Sequence, residues 1–183
     1  MELVTVATKL PVLVFDISGS DTLVLAREAL DELRTSHPYY SMLTNVRAAY
    51  RSPWHSHILN PKLLPLCEQV IALARTACIE GFGTDLDNAP LVVSQCWAID
   101  YEAGDSARTH HHFPALFGAA VYLDATGGAS PMVLGDGTAI EPRPGRVLLF
   151  PGVLSHTVPE HAGGTRKVVS MNLRLEWGSG RPG

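Results

Sequence analysis

The sequence is poor in three features that would assign it to specialised protein classes. Its three cysteines, Cys67, Cys78 and Cys96, are odd in number and far apart, so we expect buried free thiols in a reducing compartment and no disulfide framework. Lys and Arg number 14 against 18 Asp and Glu, and no basic stripe indicates a nucleic-acid partner. No apolar run approaches membrane length, and the run LPVLVF near the start is too short for a signal peptide. We expect a cytoplasmic protein that binds neither nucleic acid nor membrane.

The composition is that of one globular domain, with 46% hydrophobic and 17% charged residues in 183. Residues 1–90 carry helical signals. One helix is predicted near 21–35, capped by Ser20 or Asp21 and with apolar residues at helical spacing. A second is predicted near 61–80, with Asn60 as its cap, Pro61 in its first position and Gly81 at its end.

From residue 91 the apolar period changes to two, and Gly, Pro and Asp turns separate about eight short strands. That number is enough to close a small barrel. The predicted fold is mainly β: a double-stranded β-helix, or cupin-like jelly roll, with the N-terminal helices packed on one sheet (α+β). We expect a single domain over 1–183, made of a helical and loop buttress over 1–90, a jelly-roll core over 91–177 and a flexible tail over 178–183.

The last predicted strand has one apolar and one polar face. Val169, Met171, Leu173 and Leu175 alternate with Arg166, Ser170, Asn172 and Arg174. We expect the apolar face to pack on the helices or the second sheet. A barrel interior lined by Arg, Ser and Asn is typical of a site for a charged ligand.

Three consecutive histidines stand in the stretch ARTHHHFPALFG. On a strand, His110 and His112 point to the same face and His111 to the other. His156 follows His112 by 44 residues, on a later strand. Three protein ligands of this kind leave positions open on a metal, which indicates a catalytic centre. His55 and His57 form another His-x-His pair, which we interpret as loop or pocket residues.

Two segments, HHHFPALFGAAVYLDA and PRPGRVLLFPGVLSHTVPEHAGGTRKVVSMNL, resemble the iron(II)- and 2-oxoglutarate-dependent dioxygenases, most closely their compact bacterial and phage members. The resemblance covers roughly residues 91–175. The family pattern is a His-x-Asp or His-x-Glu motif, a distal His and an Arg about ten residues later. His156 and Arg166 match the last two positions.

The resemblance implies a cofactor set and roles for named residues. It implies an enzyme that uses Fe(II), 2-oxoglutarate and O2, with ascorbate as a helper. It would oxidise a small or amino-acid-like substrate, with hydroxylation as the expected reaction, and release succinate and CO2. The metal ligands would be His110, His112 and His156. The 2-oxoglutarate residues would be Arg166, Tyr122, Ser170 and Gln95, and the substrate pocket would include Trp97, Tyr101 and Asn172. A homodimer is left open.

The chain departs from the family where His112 replaces the carboxylate ligand. Asp105 or Asp124 could supply a carboxylate from elsewhere, or a bulge could make His111 the ligand. The stretch GDSARTHHH also fits the start of the cupin motif, but no Glu follows it. A cupin-type three-histidine dioxygenase or isomerase is therefore an alternative. A second alternative is a non-enzymatic jelly-roll module that binds a metal or a small acid.

Overall fold

Two β-sheets form the centre of the molecule. The computed structural model describes residues 4, 8–38, 44–86 and 89–176. The strands are β1 (Leu13–Asp16), β2 (Val46–Arg47), β3 (Tyr50–Arg51), β4 (Leu91–Tyr101), β5 (Ser106–His110), β6 (Phe117–Ala125), β7 (Met132–Leu134), β8 (Ala139–Ile140), β9 (Arg146–Pro151), β10 (His156–Val158) and β11 (Arg166–Leu175). The larger sheet has the order β1-β9-β6-β11-β4-β3 and the smaller one β2-β5-β10-β7-β8. This architecture confirms the predicted jelly roll.

The helices pack on the larger sheet, as predicted. They are α1 (Asp21–Ser36), α2 (Ser56–Leu59) and α3 (Leu64–Phe82), and a 3-10 turn (Pro61–Leu63) precedes α3. The apolar stripe of α1 is buried in one core with α3 and the outward face of the sheet. All three cysteines are buried and free, as expected. Of the helices in the described ranges, none combines the length and the apolar character that a membrane crossing needs.

The second helix starts and ends later than predicted: α3 begins at Leu64, after the 3-10 turn. The side chain of Asn60 accepts a hydrogen bond from the Lys62 N–H at 3.1 Å, so Asn60 caps the 3-10 turn that precedes the helix and not the helix itself. The helix continues to Phe82, and Gly83 ends it with a φ of 62°. The prediction that Gly81 ends the helix is therefore wrong. A Cβ on Gly81 would lie 2.9 Å from the Leu13 side chain, so this glycine allows β1 to pack closely against the helix.

The sheets extend beyond the predicted strand region. Strands β1, β2 and β3 come from the part of the chain that the sequence analysis assigned to helix and loop. β1 pairs with β9 at the edge of the larger sheet. Strands of two to four residues are too short to show an alternation of apolar and polar residues, so their pairing with distant strands defines them. Trp177, the predicted end of the barrel, and the predicted tail over 178–183 lie outside the described residues.

Strand β11 lies between β6 and β4 in the larger sheet, and its two faces divide as predicted. Val169, Met171 and Leu173 are buried in the core with the helices. Arg166 and Val168 face the interior between the sheets, together with Ser170 and Asn172. The fold thus carries polar side chains from a central strand into the barrel.

The packing of α1 on the sheet predicts a large stability difference between two positions of one helix. Leu30 is 2% exposed and Val24 is 52% exposed. Leu30→Ala should lower the free energy of unfolding by about 2–5 kcal/mol, because it leaves a cavity in the core. Val24→Ala, the matched control, should change it by less than about 0.5 kcal/mol. Urea denaturation of both variants measures this, and equal losses would contradict the described packing.

Candidate metal centre

Three histidines from two separate segments meet at the ends of β5 and β10. His110 ends β5 and lies directly opposite His156, the first residue of β10. His112 follows two residues after β5. One ring nitrogen of each lies within 4.8 Å of the others, an arrangement that could hold a metal ion. The structure thus brings together the three histidines singled out in the sequence, which we call the histidine triad.

Hydrogen bonds fix the same tautomer in each member of the triad. Nδ1 of His110 lies 2.7 Å from the Arg108 carbonyl oxygen, and Nδ1 of His156 lies 3.1 Å from that of Leu154. Nδ1 of His112 contacts the side-chain carbonyl oxygen of Asn172. A carbonyl oxygen only accepts, so each Nδ1 carries the proton and donates. Each Nε2 keeps its lone pair, which is the arrangement that orients imidazoles for a metal.

Burial keeps these imidazoles neutral. Desolvation lowers the pKa of His112 to about 4, although the hydrogen bond to Asn172 acts in the opposite direction and raises it. Desolvation, followed by the charges of the two neighbouring histidines, lowers the pKa of His156 to about 3. Desolvation also lowers the pKa of His110. Metal ligation needs the neutral form, so the triad is ready for it at neutral pH.

No carboxylate joins the triad among the described residues. The Asp105 carboxylate accepts from the Ala49 N–H at 2.6 Å and the Glu102 N–H at 2.8 Å, so it holds a turn. Asp124 forms an ion pair with Arg27 at 3.0 Å. The alternative that either aspartate completes the site therefore finds no support in the structure.

His111 does not belong to the triad. Its Nδ1 accepts from the backbone N–H of Phe113 at 3.3 Å. The other His-x-His pair, His55 and His57, has ring centroids 6.3 Å apart, and the described residues bring no third ligand to it. The bulge alternative and a second metal site are both without structural support.

A close backbone approach holds the two ligand-bearing segments together. The N–H of His112 donates to the Gly152 carbonyl at 2.7 Å, and the N–H of Gly152 donates to the Leu116 carbonyl at 2.9 Å. A Cβ on Gly152 would lie 1.9 Å from the backbone oxygen of Ala115. Only glycine fits there, and the contact sets the position of His112 relative to the turn that leads to His156.

An inner cavity of about 180 Å³ runs from the triad into the barrel. Trp97, Tyr101, Ser170 and Asn172 line it, together with Arg166. These are predicted site residues, and the structure brings them together. Gln95 lies outside this cavity: it lines a second, outer cavity, and its side-chain oxygen accepts from the Asn172 amide at 2.6 Å.

Arg166 is a buried cation without a carboxylate partner among the described residues. Its side chain is 1% exposed, and its Nε donates to the Ser130 carbonyl at 3.0 Å. The guanidinium lies 4.4 Å from the ring centroid of Tyr101 and 5.4 Å from that of Tyr122. Nη1 of Arg166 and the hydroxyl of Tyr122 are buried without a hydrogen-bond partner. Unpaired buried donors beside a cavity are the features expected of an anion site.

The residues that support Arg166 were not predicted from the sequence, and Asn172 has a contact beyond its predicted place in the substrate pocket. His161 is 1% exposed. Its Nδ1 accepts from the N–H of Ser130 at 3.2 Å, which helps to hold the carbonyl that Arg166 contacts. No spacing or motif marks His161. Asn172 was expected in the substrate pocket, and it also contacts His112 directly, which strand alternation could not reveal.

Similar solved structures share this architecture. No family model and no curated protein matches the sequence. A prolyl-4-hydroxylase from Pseudomonas putida is 20% identical, with 91% of this chain and 93% of that chain covered and a TM-score of 0.63. HygX from Streptomyces hygroscopicus, with nickel and 2-oxoglutarate bound, is 16% identical, with 89% and 82% covered and a TM-score of 0.65. A 2OG-Fe(II) oxygenase family protein from Burkholderia pseudomallei is 16% identical, with 93% and 88% covered and a TM-score of 0.64.

The chain has the 2OG-Fe(II) oxygenase fold. At these identities the likeness concerns the fold alone. In this fold the chain encloses a largely apolar interior between two sheets. The histidine triad and an arginine without an ion pair among the described residues line the same cavity there.

The close approach at Gly152 predicts a specific sensitivity. Gly152→Ala should lower the free energy of unfolding by about 3 kcal/mol, the upper end for overpacking, because the added Cβ meets backbone. Gly19→Ala is the control, since a Cβ there has nothing within 4 Å. Chemical denaturation measures both, and two-dimensional NMR should place the largest shifts of Gly152→Ala in residues 112–116. A Gly152→Ala protein as stable as Gly19→Ala would contradict the described contact.

Proposed function

We propose that this protein is an iron(II)- and 2-oxoglutarate-dependent dioxygenase. Its substrate would be a small or amino-acid-like molecule, and the expected reaction is hydroxylation. One observation carries the proposal: the histidine triad and the buried, unpaired guanidinium of Arg166 line the same inner cavity. A metal ligand set and an anion site in one small cavity fit a bidentate keto acid whose far carboxylate needs a cation. The fold shared with oxygenases is consistent with this.

The triad would hold Fe(II) through the three Nε2 atoms. Imidazole suits iron, and three protein ligands leave positions for the cosubstrate and O2. Asn172 fixes the orientation of His112, and Gln95 supports Asn172. We assign Gln95 this indirect role, in place of the contact with 2-oxoglutarate that the resemblance implied.

Arg166 would bind the far carboxylate of 2-oxoglutarate with its forked donors. Ser170 lines the cavity, and the buried hydroxyl of Tyr122 has no hydrogen-bond partner among the described residues, so both would add hydrogen bonds to that carboxylate. Burial raises the pKa of Tyr122, although the positive charge of Arg166 lowers it in part. The hydroxyl therefore keeps its proton and remains a donor at neutral pH. The cavity volume is below the range of about 300–1,000 Å³ for drug-sized ligands and suits a small diacid.

The metal and cosubstrate supply the oxidising chemistry when bound: one atom of O2 enters the C–H bond and the other enters succinate as CO2 leaves. The protein contributes positioning and exclusion of water. Phe150 packs edge-on against His112 and His156, and Trp97 stacks on His112. Arg166 neutralises the carboxylate, and the carbonyl partners of Nδ1 keep each imidazole in the ligating tautomer.

The three-histidine donor set gives some support to a second candidate, a cupin-type dioxygenase or isomerase that does not use 2-oxoglutarate. That candidate leaves the unpaired Arg166 in the cavity without a role. The non-enzymatic alternative, a metal- or acid-binding module, gives no role to the coordination positions that three protein ligands leave open.

Anaerobic titration with 2-oxoglutarate tests the proposed function. Iron-loaded protein should develop a visible metal-to-ligand charge-transfer band that saturates with one equivalent per site. Succinate as a control should give no such band, because it lacks the keto oxygen. Iron binding without a band would favour the cupin-type candidate and rule out the use of 2-oxoglutarate.

The ligand assignment predicts different outcomes for adjacent histidines. His156→Ala should abolish retention of metal through desalting, because it removes one of three ligands. His111→Ala should largely retain metal, since His111 lies outside the triad. Metal content per chain, with circular dichroism to show that both variants fold, measures this. Equal loss from both would overturn the assignment.

The role of Arg166 predicts a selective loss of 2-oxoglutarate affinity. Breaking one side of a buried Arg–carboxylate pair costs roughly 3–5 kcal/mol. Arg166→Ala should therefore raise the Kd for 2-oxoglutarate by at least about two orders of magnitude, at about 1.4 kcal/mol per tenfold. Arg166→Lys should recover only part, because lysine lacks the fork.

The readout is the charge-transfer titration, with metal content as the control that Arg166→Ala should leave unchanged. An unchanged Kd for 2-oxoglutarate in both variants would remove Arg166 from the site.

A further inference from the structure

We propose that the substrate of this site is a small apolar carboxylic acid, bound outside the inner cavity with its carboxylate on Arg174. The inference rests on the proposed function and adds the substrate class. The proposed substrate site is the outer groove. We define it as the two cavities of about 420 and 450 Å³ that share Phe113, Pro114, Ala115 and Arg174. These volumes are in the range for small-molecule sites.

The outer groove is continuous with the candidate metal centre. His112 and Asn172 line both the inner cavity and the groove, so these two residues form a wall between them. Phe113, next to His112, lines all three cavities. A ligand in the groove therefore contacts His112 without entering the cavity in which Arg166 would hold 2-oxoglutarate.

The charge of the groove selects for an anion. The chain has 18 acidic residues against 14 basic ones, yet within the described part of the chain no Asp or Glu lines any of the three cavities. Arg174 lines both cavities of the groove. Its ion pair with Glu176 is long, at 3.4 Å, and both side chains are 57% exposed. Such a pair is weak, and a ligand carboxylate can replace it.

The rim of the groove is apolar. Phe113 is 67% exposed, Val153 is 54% exposed and Leu116 is 38% exposed, and all three line the groove. A cluster of exposed apolar side chains beside a cavity marks a binding surface. Together with Arg174, these residues match a ligand that has a hydrocarbon part and one carboxylate.

Strand geometry places the anchor two residues from Asn172, which contacts the triad member His112. Arg174 follows Asn172 by two residues on β11, so the two Cα atoms lie about 7 Å apart. A register shift between Asn172 and Leu173 places Ser94 opposite this point, and Ser94 lines the groove with Gln95. An acid anchored at Arg174 would present carbon atoms several bonds from its carboxylate to the metal.

The test uses 4-phenylbutyrate as the probe, with 4-phenylbutan-1-ol and 4-phenylbutylamine as matched neutral and cationic controls. The full chain is loaded with Zn(II) and saturated with 2-oxoglutarate, which prevents turnover and fills the anion site at Arg166. Calorimetry should give a Kd for the acid at least tenfold below that of either control. Arg174→Gln should remove this preference, while Arg143→Gln, at an exposed arginine that lines none of the three cavities, should preserve it.

A second variant tests the charge of the groove by inversion. Val153→Asp should weaken binding of the acid and strengthen that of the amine. Equal affinities for the three probes, or a preference for the acid that survives Arg174→Gln, would overturn the inference. A charge-transfer band with 2-oxoglutarate, measured on a second sample of the protein loaded with iron(II) without oxygen, would then leave the proposed function intact, whereas absence of that band would reject the proposed function itself.

Discussion

The candidate site depends on one backbone contact, the docking of Gly152 against the loop 112–116. Two hydrogen bonds, from His112 to Gly152 and from Gly152 to Leu116, tie the segments together. Because the approach leaves no room for a Cβ, the turn before β10 and the loop after β5 have one relative position. The histidine triad, the inner cavity and the outer groove all have a wall on this junction, so their geometry follows from it.

The interior combines three neutral imidazoles with one cation that has no ion pair among the described residues. Carbonyl partners and burial keep the triad neutral, and Arg166 lies between the rings of Tyr101 and Tyr122 without an ion pair. Cation–π contact offsets part of the desolvation of the guanidinium. The rest of that cost is most simply offset by a bound anion. The charge of the inner cavity and that of the proposed cosubstrate are therefore complementary.

A polar chain that suits an imidazole supports His112, which stands where the pattern that the sequence resembles has a carboxylate. Asn172 accepts from Nδ1 of His112 and donates to Gln95. A carboxylate ligand would have no Nδ1 proton to satisfy, so this chain is matched to histidine at that position. Such partners orient metal ligands and tune them. The three-imidazole set is thus a built feature of this chain.

Periodicity and spacing in the sequence were sufficient for the jelly roll, the helix α1, the division of β11 into two faces and the histidine triad, because each depends on local alternation or on a recurring motif order. The end of α3 depended on which of two nearby glycines, Gly81 or Gly83, takes the left-handed cap, and the folded backbone gives Gly83. The edge strands β1 to β3 needed the folded chain, since distant partners decide them. The same holds for the support of Arg166 by His161 and Ser130, and for the contact of Asn172 with His112. These contacts join residues that no local pattern connects, and only tertiary packing brings their polar atoms within hydrogen-bonding distance.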